Sequence, residues 1–203
     1  MTPWTDSDIQ LYSSIFDIAD SFVGKQVNEI TFYLDYNAKN FTEQPNEYGK
    51  SLLNGLDLKI NDQFYSIGNR FTEAGYGLAI SKGWTSEFEY IEIGKRPTNY
   101  PSILIGQMIK SVDIYWMKVP FEGAIGYYPQ EIEFTTENGF LLISSIEVNH
   151  SEVNTEFTNE ILLVDNKDAG QQLKLGRYGV TDNGRECFKT FEELQQADKR
   201  NWC

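Results

Sequence analysis

Two cysteines and one histidine are all that this 203-residue chain offers of the side chains that most often ligate zinc or attack a carbonyl. Cys187 and Cys203 are too few for a disulfide framework and read as two separate reduced thiols. His150 stands alone between Asn149 and Ser151 in a polar, acidic stretch. A catalytic triad needs a base held beside a nucleophile, and nothing near His150 supplies one, so it reads as a surface histidine. Neither CxxC nor HExxH spacing occurs, and the acids lack the calcium-loop spacing with its central glycine, so no metal or cofactor is expected. Gly75-Tyr76-Gly77 has Ile80 where a phosphate-binding loop needs a third glycine, and it reads as a tight turn or bulge. No run approaches the ~20 apolar residues of a membrane-spanning helix. Met1-Thr2-Pro3-Trp4-Thr5-Asp6 lacks the basic region and apolar stretch of a signal peptide. The cytoplasm is the expected compartment.

Positive charge is scarce as well. Seventeen bases face thirty acids, for a net charge of −13. Such a chain repels nucleic acid and anionic lipid and attracts basic surfaces. Solubility alone is the simpler account of the same number. Paired carboxylates could in principle serve glycoside chemistry, but thirty acids single out no pair.

What the chain has is hydrophobic residues at 40% and aromatics at 14%, enough for a substantial core. The first element reads as a helix. Thr5-Asp6-Ser7-Asp8 is close to a capping box. Ile9, Tyr12, Phe16 and Ala19 fall on one face, Leu11, Ile15, Ile18 and Phe22 widen it, and Gly24 is a plausible stop. The period then changes to that of strands. Thr31-Phe32-Tyr33-Leu34-Asp35-Tyr36 is rich in β-formers, and Leu56, Leu58 and Ile60 alternate with Asp57 and Lys59. Asn61-Asp62 makes a turn into Phe64-Tyr65-Ser66-Ile67, giving a hairpin. From Trp84 to Ile93 the alternation slips, as at a bulge or strand end. At the other end, Thr190-Phe191-Glu192-Glu193 is a capping box, with Lys199 and Arg200 at the close of a C-terminal helix.

The second half repeats the first. Gly106 to Trp116 matches Gly24 to Leu34 at every apolar position, at an offset of 82. Ile132-Glu133-Phe134 matches Leu56-Asp57-Leu58 at an offset of 76, with Asn138-Gly139 in place of Asn61-Asp62 and Phe140-Leu141-Leu142-Ile143 in place of Phe64-Tyr65-Ser66-Ile67. Ile91-Glu92-Ile93-Gly94-Lys95 matches Leu173-Lys174-Leu175-Gly176-Arg177, again at 82. Blocks that recur in one order argue for internal duplication. Alternation shared by any two hairpins is the competing account. The expected fold is α+β and mainly antiparallel β, as two similar units, 1–96 and 97–203, packed as one body. The Pro97 to Pro101 stretch is the junction.

The most distinctive local feature is acid beside aromatic. Glu87-Phe88-Glu89-Tyr90-Ile91-Glu92 follows Trp84. Tyr127-Tyr128-Pro129-Gln130-Glu131 precedes Glu133. The stretch 147–168 carries Glu152, Glu156 and Glu160 among its acids. Solvated strand faces explain such runs plainly. A docking face explains them too, because carboxylates steer a basic partner and Tyr or Trp anchors it. In type, the chain resembles the immunity proteins of bacterial polymorphic toxin systems. Tyr127-Tyr128-Pro129-Gln130-Glu131-Ile132-Glu133-Phe134 and Asn138-Gly139-Phe140-Leu141-Leu142-Ile143, with their echo in the first half, carry that resemblance. It implies a non-catalytic binding protein that occludes the site of a cognate basic toxin. The contact residues would be Trp84, Glu87, Glu89, Tyr127, Tyr128, Glu131, Glu133, Glu152, Glu156 and Glu160. A nucleic-acid mimic or other host-defence inhibitor, or an enzyme or ligand binder using a cleft between the units, are the alternatives. Competition with DNA would mark the first, and a pocket of convergent polar groups the second.

Overall fold

The structure is a computed structural model, and it describes residues 6–35, 50–52, 55–72, 75–83, 93–96, 104–121, 124–145, 161–179 and 185–199. Helix α1, Asp6–Phe22, opens the chain. Strands β1 (Val27–Asp35), β2 (Lys50–Leu52), β3 (Gly55–Ile60), β4 (Gln63–Thr72), β5 (Gly75–Lys82) and β6 (Ile93–Arg96) follow. The second half contributes β7 (Ile109–Phe121), β8 (Ala124–Thr136), β9 (Phe140–Ser145) and β10 (Ile161–Val164). Helix α2 (Lys167–Gln172), a 3-10 turn (Gly176–Tyr178), β11 (Arg185–Cys187) and α3 (Phe191–Ala197) complete it. The fold is α+β and mainly antiparallel.

Two sheets carry the duplication in their hydrogen bonding. Their strand orders are β5-β4-β3-β1-β6 and β2-β10-β9-β8-β7-β11. In the first, Val27 opposes Ile60 and Glu29 opposes Lys59 across a register shift. In the second, Ile109 opposes Thr136 and Ser111 opposes Thr135 across the same shift. Leu58 opposite Tyr65 becomes Phe134 opposite Leu141. Shared alternation would not reproduce a bulge at one place. Bulges are specific features of a ladder, so the agreement is one of structure as well as pattern.

The halves also meet symmetrically. Gly24 N–H donates to Ile109 C=O at 2.9 Å, and Gly106 N–H to Val27 C=O at 2.8 Å. Ile109 N–H donates to Lys25 C=O at 2.9 Å, and Val27 N–H to Gln107 C=O at 3.2 Å. An offset of 82 turns each bond into its mate, and Gln26 faces Met108 across an antiparallel bridge at the centre. Both Gly24 and Gly106 have φ +78°. The junction is a local two-fold axis.

Three expectations are corrected. The counterpart of β6 is β11. Ile93, Gly94 and Lys95 oppose Asp35, Leu34 and Tyr33, while Arg185, Glu186 and Cys187 oppose the equivalent Met117, Trp116 and Tyr115. Residues 173–177 instead cross the cap of α2 and the 3-10 turn. The second hairpin turns at Glu137-Asn138, one residue earlier than the matched Asn138-Gly139, because Thr136 N–H bonds Gly139 C=O at 2.8 Å. Gly75 to Gly77 forms neither turn nor bulge. It is the start of β5, paired in register with Arg70 to Thr72. Gly77 lies so close to β8 that an added Cβ would sit 2.9 Å from the Pro129 carbonyl oxygen.

One hydrophobic cluster draws on both halves. Leu56, Leu58, Ile60 and Ile67 from the first sheet join Ile114, Trp116, Ile132, Phe134 and Ile143 from the second. Helix α1 lies against β5 and β7 and buries Tyr12, Ile15, Phe16, Ala19 and Phe22, the face its periodicity defines. Its solvent side carries Asp6, Asp17 and Asp20 and no basic residue. Strand β2 comes from the first half yet pairs with β10 at the edge of the second sheet. Among the described residues, no helix is long and apolar enough to cross a membrane.

Candidate functional site

Strand β8 decides where its acids go. Tyr115 opposes Glu131 and Trp116 opposes Pro129, so Gln130 is the extra residue of a bulge. Before it, Tyr127 points into the shared core. After it, Ile132 and Phe134 do. The bulge thereby switches parity and re-aims the following side chains. Glu131 and Glu133 land on the outer face of the sheet, two residues apart and on one side.

That outer face is covered. Ala169, Leu173 and Leu175 of the α2 segment pack on Leu142, Leu162 and Val164. Helix α2 has only six residues, too few to hold itself in water, so its order depends on this contact and on its Asn166 cap, which accepts from Asp168 N–H at 2.8 Å. Gly176 follows at φ +51°, where a Cβ would run into Leu142 and lie 3.1 Å from Glu133 Oε2.

Beneath the segment sit three charged side chains, Glu131, Glu133 and Arg185, and Arg177 of the segment itself closes one edge. Glu131 is 0% exposed. Its Oε2 accepts the Gly176 N–H at 2.7 Å, its Oε1 accepts the Ser144 hydroxyl at 3.1 Å, and Arg185 Nε lies 2.6 Å away. Arg185 also donates to the Lys174 carbonyl at 2.6 Å. Glu133, equally sealed, pairs with Arg177, whose guanidinium reaches the rim against Phe140 and Tyr178. Burial pushes the Glu131 carboxyl up to about 7, against the pull of Arg185, the Gly176 amide and the Ser144 hydroxyl. Tyr115, on the same face, is raised by burial first and then by Cys187 and Asp113. A carboxyl near 7 has the value of a general acid or base, but this one has no exposed surface through which to meet a substrate. What the arrangement can do is hold the covering segment and take up or release a proton.

Four of the ten expected contact residues are therefore corrected. Tyr127, Tyr128, Glu131 and Glu133 are all buried, so none offers a partner a surface. Alternation places Glu131 and Glu133 away from the core, but the α2 segment seals that face. Tyr127 instead secures the C-terminal segment. Its N–H donates to Asp198 at 3.1 Å, its hydroxyl to Glu186 at 2.9 Å, and its ring meets Phe188 edge-on. Tyr128 packs beside Gly77 of β5. The other six, Trp84, Glu87, Glu89, Glu152, Glu156 and Glu160, lie outside the described residues, as do His150 and Cys203. Cys187 is a free cysteine on an exposed position of β11. The sequence reading missed Ser144, Gly176, Arg177 and Arg185. The apolar spacing of Ala169, Leu173 and Leu175 was the one hint of a covering segment. Among the described residues, no group of three His, Cys, Asp or Glu side chains could hold a metal ion. No protein-family model, no curated protein and no solved structure matches this chain.

Proposed function

We propose that this is a non-catalytic binding protein that neutralises a basic partner, in the manner of a cytoplasmic immunity protein covering the active or substrate site of its toxin. The carrying observation is how the charge is distributed. At least six of the seventeen bases, Lys59, Lys110, Lys118, Arg177, Arg185 and Lys189, are taken up in ion pairs within the chain. Each of those pairs also takes up one acid, so the net charge of −13 stands as an excess of acids over bases outside the pairs. A field of one sign speeds encounter with a basic groove and rejects acidic partners, nucleic acid and anionic membranes. Helix α1 adds its own row of Asp6, Asp17 and Asp20 to that field. The remaining candidates for close contact are Trp84, Glu87, Glu89, Glu152, Glu156 and Glu160. They fall in two segments that follow β5 and β9, strands that touch each other.

The test is capture of the tagged protein's partner at physiological and high salt, followed by binding to variants with Glu87 and Glu89, or Glu152, Glu156 and Glu160, changed to Lys. One partner that is toxic alone, silenced by co-expression, and bound at least about tenfold more weakly by a charge-reversed variant supports the reading. Binding indifferent to every reversal refutes it. Competition by DNA for many unrelated basic proteins, lost at high salt, would point to a nucleic-acid mimic instead.

A further inference from the structure

Among the described residues, three large apolar side chains stand exposed, and all three lie at the junction between the halves. They are Val23 at 48%, Ile105 at 44% and Met108 at 60%. Apolar residues exposed singly over a surface are ordinary, but these are placed by the local symmetry. An offset of 82 carries Val23 onto Ile105 and Gln26 onto Met108. Gln26 faces Met108, and Val27 faces Ile105, across the two isolated bridges of the junction. Their neighbours in the chain point the other way: Phe22, Leu104, Val27 and Ile109 are all buried in the core. The two-fold axis therefore leaves the core through a surface patch of Val23, Gln26, Ile105 and Met108. A hairpin turn adjoins it on each side, since Asn61 N–H donates to Gln26 C=O at 3.3 Å and Asn138 Nδ2 to Gln107 Oε1 at 2.7 Å. The rim carries both signs of charge. Lys25, Lys59 and Lys110 are its bases, with Lys110 and Lys59 reaching the turn carboxylates Glu137 at 3.6 Å and Asp62 at 3.9 Å. Asp20 and Glu29 are exposed beside them. A basic partner meets ammonium groups here as well as carboxylates. A second copy of the chain can set carboxylate against ammonium in both directions.

We propose that this patch is a dimer contact, on which a second copy of the chain docks turned by 180° about an axis lying in the surface. The Val23 and Gln26 end of one chain then meets the Ile105 and Met108 end of its partner. Such an isologous contact needs a surface that is its own complement. A patch with a two-fold axis of its own meets that need, because it shows one pattern from either end. Three apolar side chains are few against the roughly 800 Å² that a stable interface buries on each partner. The polar residues and turns around them have to join the contact, and the dimer is weak, with a Kd of about 1–100 µM. The rest of the molecule opposes it. Two chains of net charge −13 repel each other, so salt should tighten the dimer by screening that repulsion. Binding of a basic partner has the opposite salt dependence, which keeps the two contacts distinguishable.

The test is sedimentation equilibrium of the full chain from about 1 to 500 µM, in about 50 mM and 500 mM salt. Reductant is present throughout, so that Cys187 cannot link two chains. The wild type is expected to dimerise, with a Kd at least about threefold lower at the higher salt. Ile105→Lys combined with Met108→Lys should raise that Kd by at least about tenfold, because each dimer would bury four new ammonium groups. Both positions are exposed, so the unfolding midpoint should stay where it is. Should the double variant not fold, Met108→Lys alone, at the most exposed of the three positions, takes its place. Val23→Lys should weaken the dimer as Ile105→Lys does, since the contact uses both ends of the patch. A chain that stays monomeric at every concentration and salt overturns the proposal. So does a dimer that ignores all the lysine variants, or one that tightens as salt is removed. A monomer that binds some other molecule through Met108 would give the patch to that occupant and overturn it equally.

Discussion

Trp116 is where α1 is fastened to the second sheet, and its removal can be worked through quantitatively. The indole is 0% exposed. Phe16 stacks on it with centroids 5.5 Å apart, and Tyr12 meets it edge-on at 5.2 Å. Truncating a buried Trp to Ala typically costs about 3–5 kcal/mol, a large share of the roughly 5–15 kcal/mol that holds a domain folded. That figure alone does not test the geometry, because any buried Trp gives it. A double-mutant cycle does. Trp116→Leu combined with Phe16→Leu should show a coupling of about 0.5–1.5 kcal/mol, the usual worth of one aromatic pair beyond its area. Phe22, one and a half turns further on, stacks instead with Phe134 and meets Tyr65. Its cycle with Trp116 should therefore close to within about 0.5 kcal/mol. The measurement is urea unfolding of all single and double variants, accepted only where the denaturant slope is unchanged. Equal couplings for Phe16 and Phe22, or none for Phe16, would refute this seating of the helix.

Gly77→Ala should cost about 1–3 kcal/mol by overpacking, since its new methyl would meet the Pro129 carbonyl at 2.9 Å; a neutral result in thermal unfolding would mean that β5 and β8 do not approach as described. Tyr127→Phe removes the hydroxyl bonded to Glu186 and should cost about 1 kcal/mol, because Lys118 remains beside that carboxylate at 3.5 Å. Glu131→Gln should change how stability varies with pH. A folded-state value raised from 4.5 to about 7 gives the wild type stability that is full below pH 4.5 and lost as pH rises through 7. The difference in unfolding free energy between variant and wild type should therefore shift in the variant's favour by about 2 kcal/mol from pH 5 to pH 8. A constant difference, read from urea curves at the two pH values, would count against the raised value.

Much of the fold was legible because periodicity reports burial on one face. The α1 stripe and the alternation of Leu56, Leu58 and Ile60 state which side meets the core, and both sides are as read. The duplication was visible because register and glycine positions survive where surface residues drift. Gly24 and Gly106 keep one conformation. The site was not legible, for a physical reason. Alternation tells which residues avoid the core, and it cannot tell whether water or another segment covers the far side. Glu131 and Glu133 look like solvated acids until residues 169–175 are laid over them. The β6 counterpart failed similarly. Ile91 to Lys95 and Leu173 to Arg177 share a pattern, but pairing partners, not pattern, define an equivalent strand.

The local symmetry separates what belongs to each unit from what was added to one. Asp57 and Glu133 occupy the same place, the third pair of the two matched ladders, and both are buried. Asp57 is held by the Ser66 hydroxyl, Glu133 by Arg177. A buried acid on the outer face is thus common to both sheets, while its partner is not. The counterpart of Glu131, by contrast, is Gly55, which has no side chain to ionise. Glu131 with Arg185, the Arg177 that pairs with Glu133, and Gly176 therefore have no equivalent set in the described part of the first unit. They are the specialised part of the molecule, and β2 reaching across to the edge of the same sheet adds to that sheet alone. A search for function within the described residues is best aimed at the second sheet's outer face, where the duplicated plan is broken.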